Sequence, residues 1–311
     1  MKILAGSSIL DFSQQLSQAL DCQLLRIASS RFSDGEINIE ILDNVRGQDV
    51  YVVQSLSAPV NDNLMELLLI GDALRRASAK SITAVIPYLG YSRQDRRVRS
   101  KRVPISARVV ADVIEAIQFD RVMTVDVHSD QLQGFYHIPV ENVFSSPLVI
   151  ADIKKHFDEE NLMIVSPDVG GVQRARAIAT RVQNNDLAIV DKRREKPNQI
   201  EFMQVIGDVK GRNCVLIDDM VDTGSTLCRA AQVLKDNGAL QVVAYCTHPV
   251  LSADAIQKLE ASSLDQIVIS DSIEHQNISS TKKLRVISLV PLLAEAISRV
   301  SSSTSLSQMY I

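Results

Sequence analysis

Short continuous apolar runs, separated by segments with helical spacing, recur along the whole chain. "KILAGS", "DVYVVQSL", "ITAVIPYL" and "RVMTVDV" stand in the first half; "LMIVSPD", "LAIVDK", "NCVLIDD", "QVVAYCTH" and "QIVISD" stand in the second. A strand that is apolar at successive positions, not alternate ones, is covered on both faces, which is the condition of a parallel sheet flanked by helices. The segments between carry helical patterns at residues 62–79, 105–117 and 171–182, with Asn61 or Asp62 able to cap the first. This alternation predicts an α/β chain with doubly wound, mainly parallel sheets.

The pattern runs twice. "RVMTVDVHSDQ" and "NCVLIDDMVDT" are both apolar strands that end in acids and a polar loop. We read two related domains, residues 1–145 and 146–311, joined near 137–147, with the last helix or tail expected to pack back on the first domain. The competing arrangement is one large sheet. The chain of 311 residues is long enough for two cores at roughly 150 residues each. The stretch "SSSTSLSQ" near the end is poor in apolar residues and is expected to be flexible.

Composition removes several function classes. No apolar run approaches the roughly 20 residues needed to cross a bilayer, and the opening "MKILAGSSILDFSQQL" has no secretory pattern. Lys and Arg total 33 against 37 Asp and Glu, a net charge of −4, and Trp is absent. A mildly acidic chain poor in aromatics is not built to bind nucleic acid generally or to stack single strands. Cys22, Cys214, Cys228 and Cys246 form no C-x-x-C pair, so scattered reduced thiols and a cytoplasmic location are expected.

"VLIDDMVDTGST" holds the sharpest local signal. In open α/β sheets, ligands sit at the carboxyl ends of strands. Here an apolar strand leads into Asp218 and Asp219, then Asp222, then a Thr223–Gly224–Ser225–Thr226 turn that opens a helix. Gly224 permits a positive-φ backbone, and the turn's N–H and hydroxyl groups can surround a phosphate. Carboxylates would repel a bare phosphate, but they accept hydrogen bonds from sugar hydroxyls or hold a metal through water. A sugar phosphate uses both halves. The plainer alternative is that Asp222 caps the helix and the paired acids are solvated.

Five other segments bear on chemistry. In "RFSDGEINIEI", Asp34 and Glu36 face the same way if the chain is extended, and Phe32 offers a flat surface suited to a purine; alone, this also reads as a turn with a core Phe. From Arg93 to Arg102 the chain carries six basic residues against one acid, a loop for water, polyphosphate, a subunit interface or RNA. Asp126 and His128 in "VDVHSDQ" and Asp168 in "SPDVGG" stand at separate strand ends and can share a divalent ion. Lys192 and Arg194 in "AIVDKRREKPN" point together if extended, which suits a triphosphate whose charge shifts during transfer.

Taken in order, these segments resemble the ribose-phosphate pyrophosphokinases of the bacterial, phosphate-regulated class. The resemblance spans nearly the whole chain and includes "SAPVNDNLMELLLIGDALRRASAK" and "CTHPVLS"; phosphoribosyltransferases share only the loop around 218–226. It implies a type I phosphoribosyltransferase-like fold in both domains, with the ATP side and subunit contacts in the first and the ribose-5-phosphate loop in the second. It implies Mg²⁺-dependent transfer of the diphosphoryl group of ATP to the anomeric hydroxyl of ribose 5-phosphate, giving 5-phosphoribosyl 1-diphosphate and AMP. By the same resemblance Phe32, Asp34, Gly35, Glu36, Arg93 and Gln94 serve ATP, the first of these segments coming from a neighbouring subunit. His128 and Asp168 match metal positions. Asp218, Asp219, Asp222, Thr223, Gly224, Ser225 and Thr226, with Arg194, match the ribose-5-phosphate site, and Lys192 and Arg194 match the mobile catalytic cations. A homohexamer with a phosphate and ADP regulatory site near Arg46 and the tail is also implied. Ser225 replaces a residue that is often Ala, Gly or Cys in the family, and the tail "SSSTSLSQMYI" departs further. The alternative functions are a phosphoribosyltransferase and a catalytically poor regulatory subunit.

Overall fold

In the computed structural model the apolar runs become the central strands of two separate sheets. It describes residues 1–97, 101–182, 186–193, 202–275, 278 and 281–310, with backbone alone at Lys192, Arg193 and Phe202. The chain divides into two units: Met1–Phe144 with Ser272–Glu274 and Leu289–Ile311, and Ser145–Asp271 with His275–Ser288. The division follows contacts more than chain order, since the last helix clusters with the first unit.

The first unit contains β1 (Lys2–Ala5), α1 (Leu10–Ala19), β2 (Leu24–Leu25), β3 (Ile27–Arg31), β4 (Ile37–Ile41), β5 (Asp49–Val53), α2 (Val60–Arg76), β6 (Ser81–Ile86), α3 (Ser106–Ala116), β7 (Arg121–Val125) and β8 (Val140–Val143). Its main sheet has the order β2-β1-β5-β6-β7-β8, parallel throughout. Leu4, Val50, Val52, Ile82, Ala84 and Ile86 project from one face onto Leu67, Ile70 and Leu74 of α2 and Ile114 of α3. The intervening Ile3, Val53 and Val85 are buried as well, so both faces are covered and the runs need no alternation.

The second unit contains α4 (Ser146–His156), β9 (Leu162–Ser166), α5 (Val172–Arg181), β10 (Leu187–Arg193), β11 (Phe202–Ile206), β12 (Asn213–Val221), α6 (Ser225–Asp236), β13 (Gln241–Pro249), α7 (Ala255–Ala261), β14 (Gln266–Ser270) and β15 (Leu284–Ile287). The strand order is β11-β10-β9-β12-β13-β14-β15, with only the β10–β11 pair antiparallel. Finally α8 (Val290–Ser301) returns to pack on α1 within the first unit.

Several elements depart from the sequence reading. α2 begins at Val60 with Pro59 at its N-cap and no side-chain cap. Neither proposed cap is used, because Asn61 accepts from the Tyr91 hydroxyl and Asp62 pairs with Arg31 at 2.6 Å. The segment "RFSDGEINIEI" is not one extended stretch: β3 and β4 form an antiparallel hairpin whose turn is residues 32–36. β12 does not stop at its acids but runs on to Val221. The tail expected to be flexible has a defined course, with Thr304 N–H donating to the Arg299 carbonyl at 2.8 Å and the Arg299 guanidinium donating to the Ser305 carbonyl at 2.9 Å. Phe144 N–H then donates to the Tyr310 hydroxyl at 3.0 Å, and the two rings meet edge to face at 5.5 Å.

Candidate active site

The second unit places its acids at the point where its winding reverses. From β9 the chain moves one way to β10 and β11, then returns to β12 on the other side and continues to β15. A crevice opens beyond the carboxyl ends of strands at such a reversal. β12 pairs with β9 only as far as Leu216 opposite Val165, while its pairing with β13 continues through Asp218 opposite Cys246 to Val221 opposite Pro249. Asp218 and Asp219 thus overhang the end of β9, and the pairing of Asp218, Met220 and Val221 with β13 holds this stretch in place.

Arg174, on the first turn of α5, reaches Asp219 at 3.3 Å and Asp218 at 3.5 Å. Asp219 is only 4 % exposed. Burial, then the charge of Asp219 and a hydrogen bond with it, push the Asp218 carboxyl well above the usual carboxylate range; Arg174 pulls the other way and Asp168 adds to the rise. Asp168 lies in the loop between β9 and α5, where its carboxylate accepts from Gly171 N–H at 2.9 Å and its carbonyl from the Ser166 hydroxyl at 2.6 Å. Among the described residues, three carboxylates against one guanidinium leave a negative excess in a half-sheltered crevice. Beside it, burial and the two acids push the Cys246 thiol up, so this group stays protonated.

The turn after β12 has the shape expected of an anion loop. Gly224 is left-handed, φ +72, and is the N-cap of α6 without a side-chain cap hydrogen bond. A Cβ there would stand 3.1 Å from Leu259 Cγ and Cδ2. The Thr223 hydroxyl donates to Ser225 Oγ at 3.3 Å. Asp222 does not cap the helix. Its carboxylate accepts from the Ser252 hydroxyl and its carbonyl from Ser252 N–H at 3.1 Å, which pins the start of the turn to the loop after β13. The first N–H groups of α6, together with the hydroxyls of Ser225 and Thr226, are the donors such a loop offers to a phosphate.

Other expected positions fall elsewhere. Phe32, Asp34, Gly35 and Glu36 form the β3–β4 turn, closed by Phe32 N–H to the Glu36 carbonyl and Gly35 N–H to the Phe32 carbonyl, both 2.9 Å. Gly35 has φ +97, and Asp34 accepts from Glu36 N–H at 3.1 Å, so Asp34 and Glu36 do not alternate along a strand. Phe32 is 56 % exposed and is no core residue. Arg93 and Gln94 follow β6; Gln94 accepts from Ala107 N–H at 3.3 Å and from the Ser106 hydroxyl, which ties it to the start of α3. β7 ends at Val125, and Asp126 is buried with φ +38, so Asp126 and His128 are not on one side of an extended end. His128 is exposed and belongs to the first unit, Asp168 to the second. Lys192 lies on β10 opposite Met203. Its side chain, and all of Arg194, lie outside the described residues.

Two participants escaped the sequence reading. Arg174 was signalled only by its place one turn into the helix after "SPDVGG". Ser252 ends the segment "CTHPVLS", but nothing local pointed to its role, because its contact with Asp222 depends on the pairing of β12 with β13.

Two family models match. One, described as the N-terminal domain of ribose phosphate pyrophosphokinase, covers residues 1–117; the other, a phosphoribosyl synthetase-associated domain, covers residues 185–311. A ribose-phosphate pyrophosphokinase of Pasteurella multocida is 51 % identical over 311 residues, which is 100 % of this chain and 99 % of the relative. The chain belongs to the ribose-phosphate pyrophosphokinase family. The Coxiella burnetii enzyme of the same name is 51 % identical over 312 residues, covering 100 % of this chain and 98 % of its own. The crystal structure of phosphoribosylpyrophosphate synthetase from Mycobacterium smegmatis shares 37 % identity with a TM-score of 0.91, covering 97 % of this chain and 99 % of that one. Family membership therefore holds over both units, not over the acid and glycine loop alone.

Proposed function

We propose that this chain transfers the diphosphoryl group of ATP to ribose 5-phosphate, giving 5-phosphoribosyl 1-diphosphate and AMP. The observation that carries this reading is identity at 51 % over the full length with ribose-phosphate pyrophosphokinases. The crevice chemistry of the second unit supports it. Thr223, Gly224, Ser225 and Thr226 hold the 5-phosphate, while Asp218, Asp219 and Asp222 accept hydrogen bonds from the ribose hydroxyls. The anomeric hydroxyl oxygen attacks the β-phosphorus and gives up its proton to solvent, the bond from that phosphorus to the α,β-bridging oxygen breaks, and AMP leaves with that oxygen. Positioning and electrostatics do most of the work in such a transfer. Phe32, Asp34, Gly35, Glu36, Arg93 and Gln94 serve the nucleotide, and Lys192 and Arg194 stabilise charge as it moves to the leaving AMP.

The donor set suits Mg²⁺: hard carboxylate oxygens in excess over the nearby cation. Among the described residues no three His, Cys, Asp or Glu side chains are placed to ligate one ion together; His128 and Asp168, each within its own unit, would be Mg²⁺ positions completed by water and substrate phosphates. When bound, Mg²⁺ offsets the charge of the polyphosphate. The same reading includes a cytoplasmic homohexamer with active sites shared between subunits and a site for phosphate and ADP near Arg46. Arg46 donates to the Ser78 hydroxyl at 3.1 Å.

The test is nucleotide analysis after incubation with ATP, ribose 5-phosphate and Mg²⁺. AMP formed one for one with consumed sugar is expected. ADP would mean single phosphoryl transfer and would end the proposal. Pyrophosphate released only when a nucleobase and the sugar 1-diphosphate are supplied would identify a phosphoribosyltransferase.

A further inference from the structure

The first unit reverses its winding in the same manner as the second, because β1 stands between β2 and β5. A cavity of about 420 Å³ opens there, lined by residues just past β1 and β5 and by the β3–β4 hairpin. That size falls within the range of small-molecule pockets. None of the six residues assigned above to ATP lines it.

Its floor is an anion cradle filled by the chain's own carboxylate. Glu66, on α2, is 3 % exposed. Its Oε2 accepts from Ser7 N–H at 3.1 Å, from the Ser7 hydroxyl and from Gln54 Nε2 at 2.7 Å; its Oε1 accepts from the Ser29 hydroxyl at 3.1 Å. These donors come from the loop after β1, the end of β5 and β3, and no Lys or Arg is among them. Where the second unit has a turn that can receive a phosphate, the first has a tethered acid already in the donors.

The rest of the wall is acceptor-rich and already charge-matched. Asp62 is paired with Arg31 at 2.6 Å, and Glu274 accepts from Phe12 N–H at 3.0 Å. What sets this crevice apart from that of the second unit is that the described donors of its cradle are already taken by Glu66, which leaves no place there for a ligand phosphate. The Ser7 and Ser29 hydroxyls donate to Glu66 and the Ser8 hydroxyl to Gln54 Oε1 at 2.7 Å, while Ser8 Oγ accepts from Ser55 N–H at 2.9 Å and Ser30 Oγ from Asn38 Nδ2 at 3.2 Å, so each of these oxygens keeps an acceptor lone pair toward a crevice that Ser57 also lines. A ligand there must donate several hydrogen bonds and carry no anionic charge. We propose that this crevice is a second small-molecule site, specific for a neutral polyhydroxyl ligand of pentose size, in which Glu66 takes the place of a ligand phosphate.

The experiment is calorimetric titration of D-ribose into the full wild-type chain and into its Asp222→Ala and Ser30→Trp variants. Equal ribose affinity in the first two, and at least a tenfold loss in Ser30→Trp, is expected; ribose 5-phosphate should depend on Asp222 instead. Absence of ribose binding, loss in Asp222→Ala alone, or uptake of 1,3-diaminopropane in place of ribose would overturn the proposal. The Glu66→Ala chain gives a measurement independent of Ser30→Trp folding. With the cradle emptied, it should bind one more inorganic phosphate per chain than wild type, and an unchanged phosphate stoichiometry would remove Glu66 from the role assigned.

Discussion

Gly224 carries the main backbone demand of the turn between β12 and α6. Any other residue at φ +72 costs about 1–2 kcal/mol, and an added Cβ would also press on Leu259. Gly224→Ala should therefore lower the thermal midpoint and raise KM for ribose 5-phosphate severalfold; a variant equal to wild type in both would contradict this account of the turn. Asp218 makes a prediction with a defined sign. Its carboxyl is raised in the folded state above the ordinary value of 3.8, so between that pH and the raised value the folded chain holds a proton that the unfolded chain has lost. Stability contributed by this group is thus lost as pH climbs from about 4 toward neutrality. Asp218→Asn should raise the unliganded thermal midpoint at neutral pH by about 2–4 °C, the shift that roughly 1 kcal/mol produces in a unit of this size. The gain should fade near pH 4, and a gain independent of pH would reject the electrostatic explanation. These residues were legible in the sequence because turn, acids and glycine are contiguous. The alignment read for Asp126 and His128 does not hold, because a single left-handed residue breaks the two-residue period on which it rested.

At the scale of elements, the site depends on β12 outrunning β9, which sequence could not show. Whether an acid ends a strand or overhangs its neighbour is a matter of register, and register is non-local. The same holds for α5, whose first turn delivers Arg174 only because β9 and β12 are adjacent. Arg174→Met removes the cation that lowers the Asp218 pKa. The acid limb of the kcat/KM profile should then move to higher pH, with at least a tenfold fall in kcat/KM at neutral pH; an unmoved limb would show that Arg174 does not tune the acids. The β10–β11 hairpin makes a separate prediction. Loss of a donor that acts mainly in the transition state costs about a hundredfold or more. Lys192→Ala should lower kcat by that order while ribose 5-phosphate binding is largely retained, and near wild-type kcat would remove Lys192 from the mechanism. The shorter strands β2, β8 and β15, the largely exposed β3, and the alternating β4 and β11 lacked the continuous apolar run that marked the central strands.

Over the whole molecule, two sheets with the same reversal of winding carry opposite chemistry at that reversal. The second has an acid pair and a phosphate-shaped turn; the first has donors already satisfied by Glu66. The doubly wound class and the repeat were readable because burial on both faces writes itself into every central strand. The placement of α8 with the first unit was not fixed by periodicity, since it follows from which helix offers a matching apolar face. The central claim is chemical, and phosphorus NMR of the purified chain with ATP, ribose 5-phosphate and Mg²⁺ tests it most directly. The account predicts stoichiometric AMP and a diphosphate bonded to the sugar's anomeric carbon. A folded protein that binds both substrates yet forms neither product would contradict it and leave a regulatory subunit in its place.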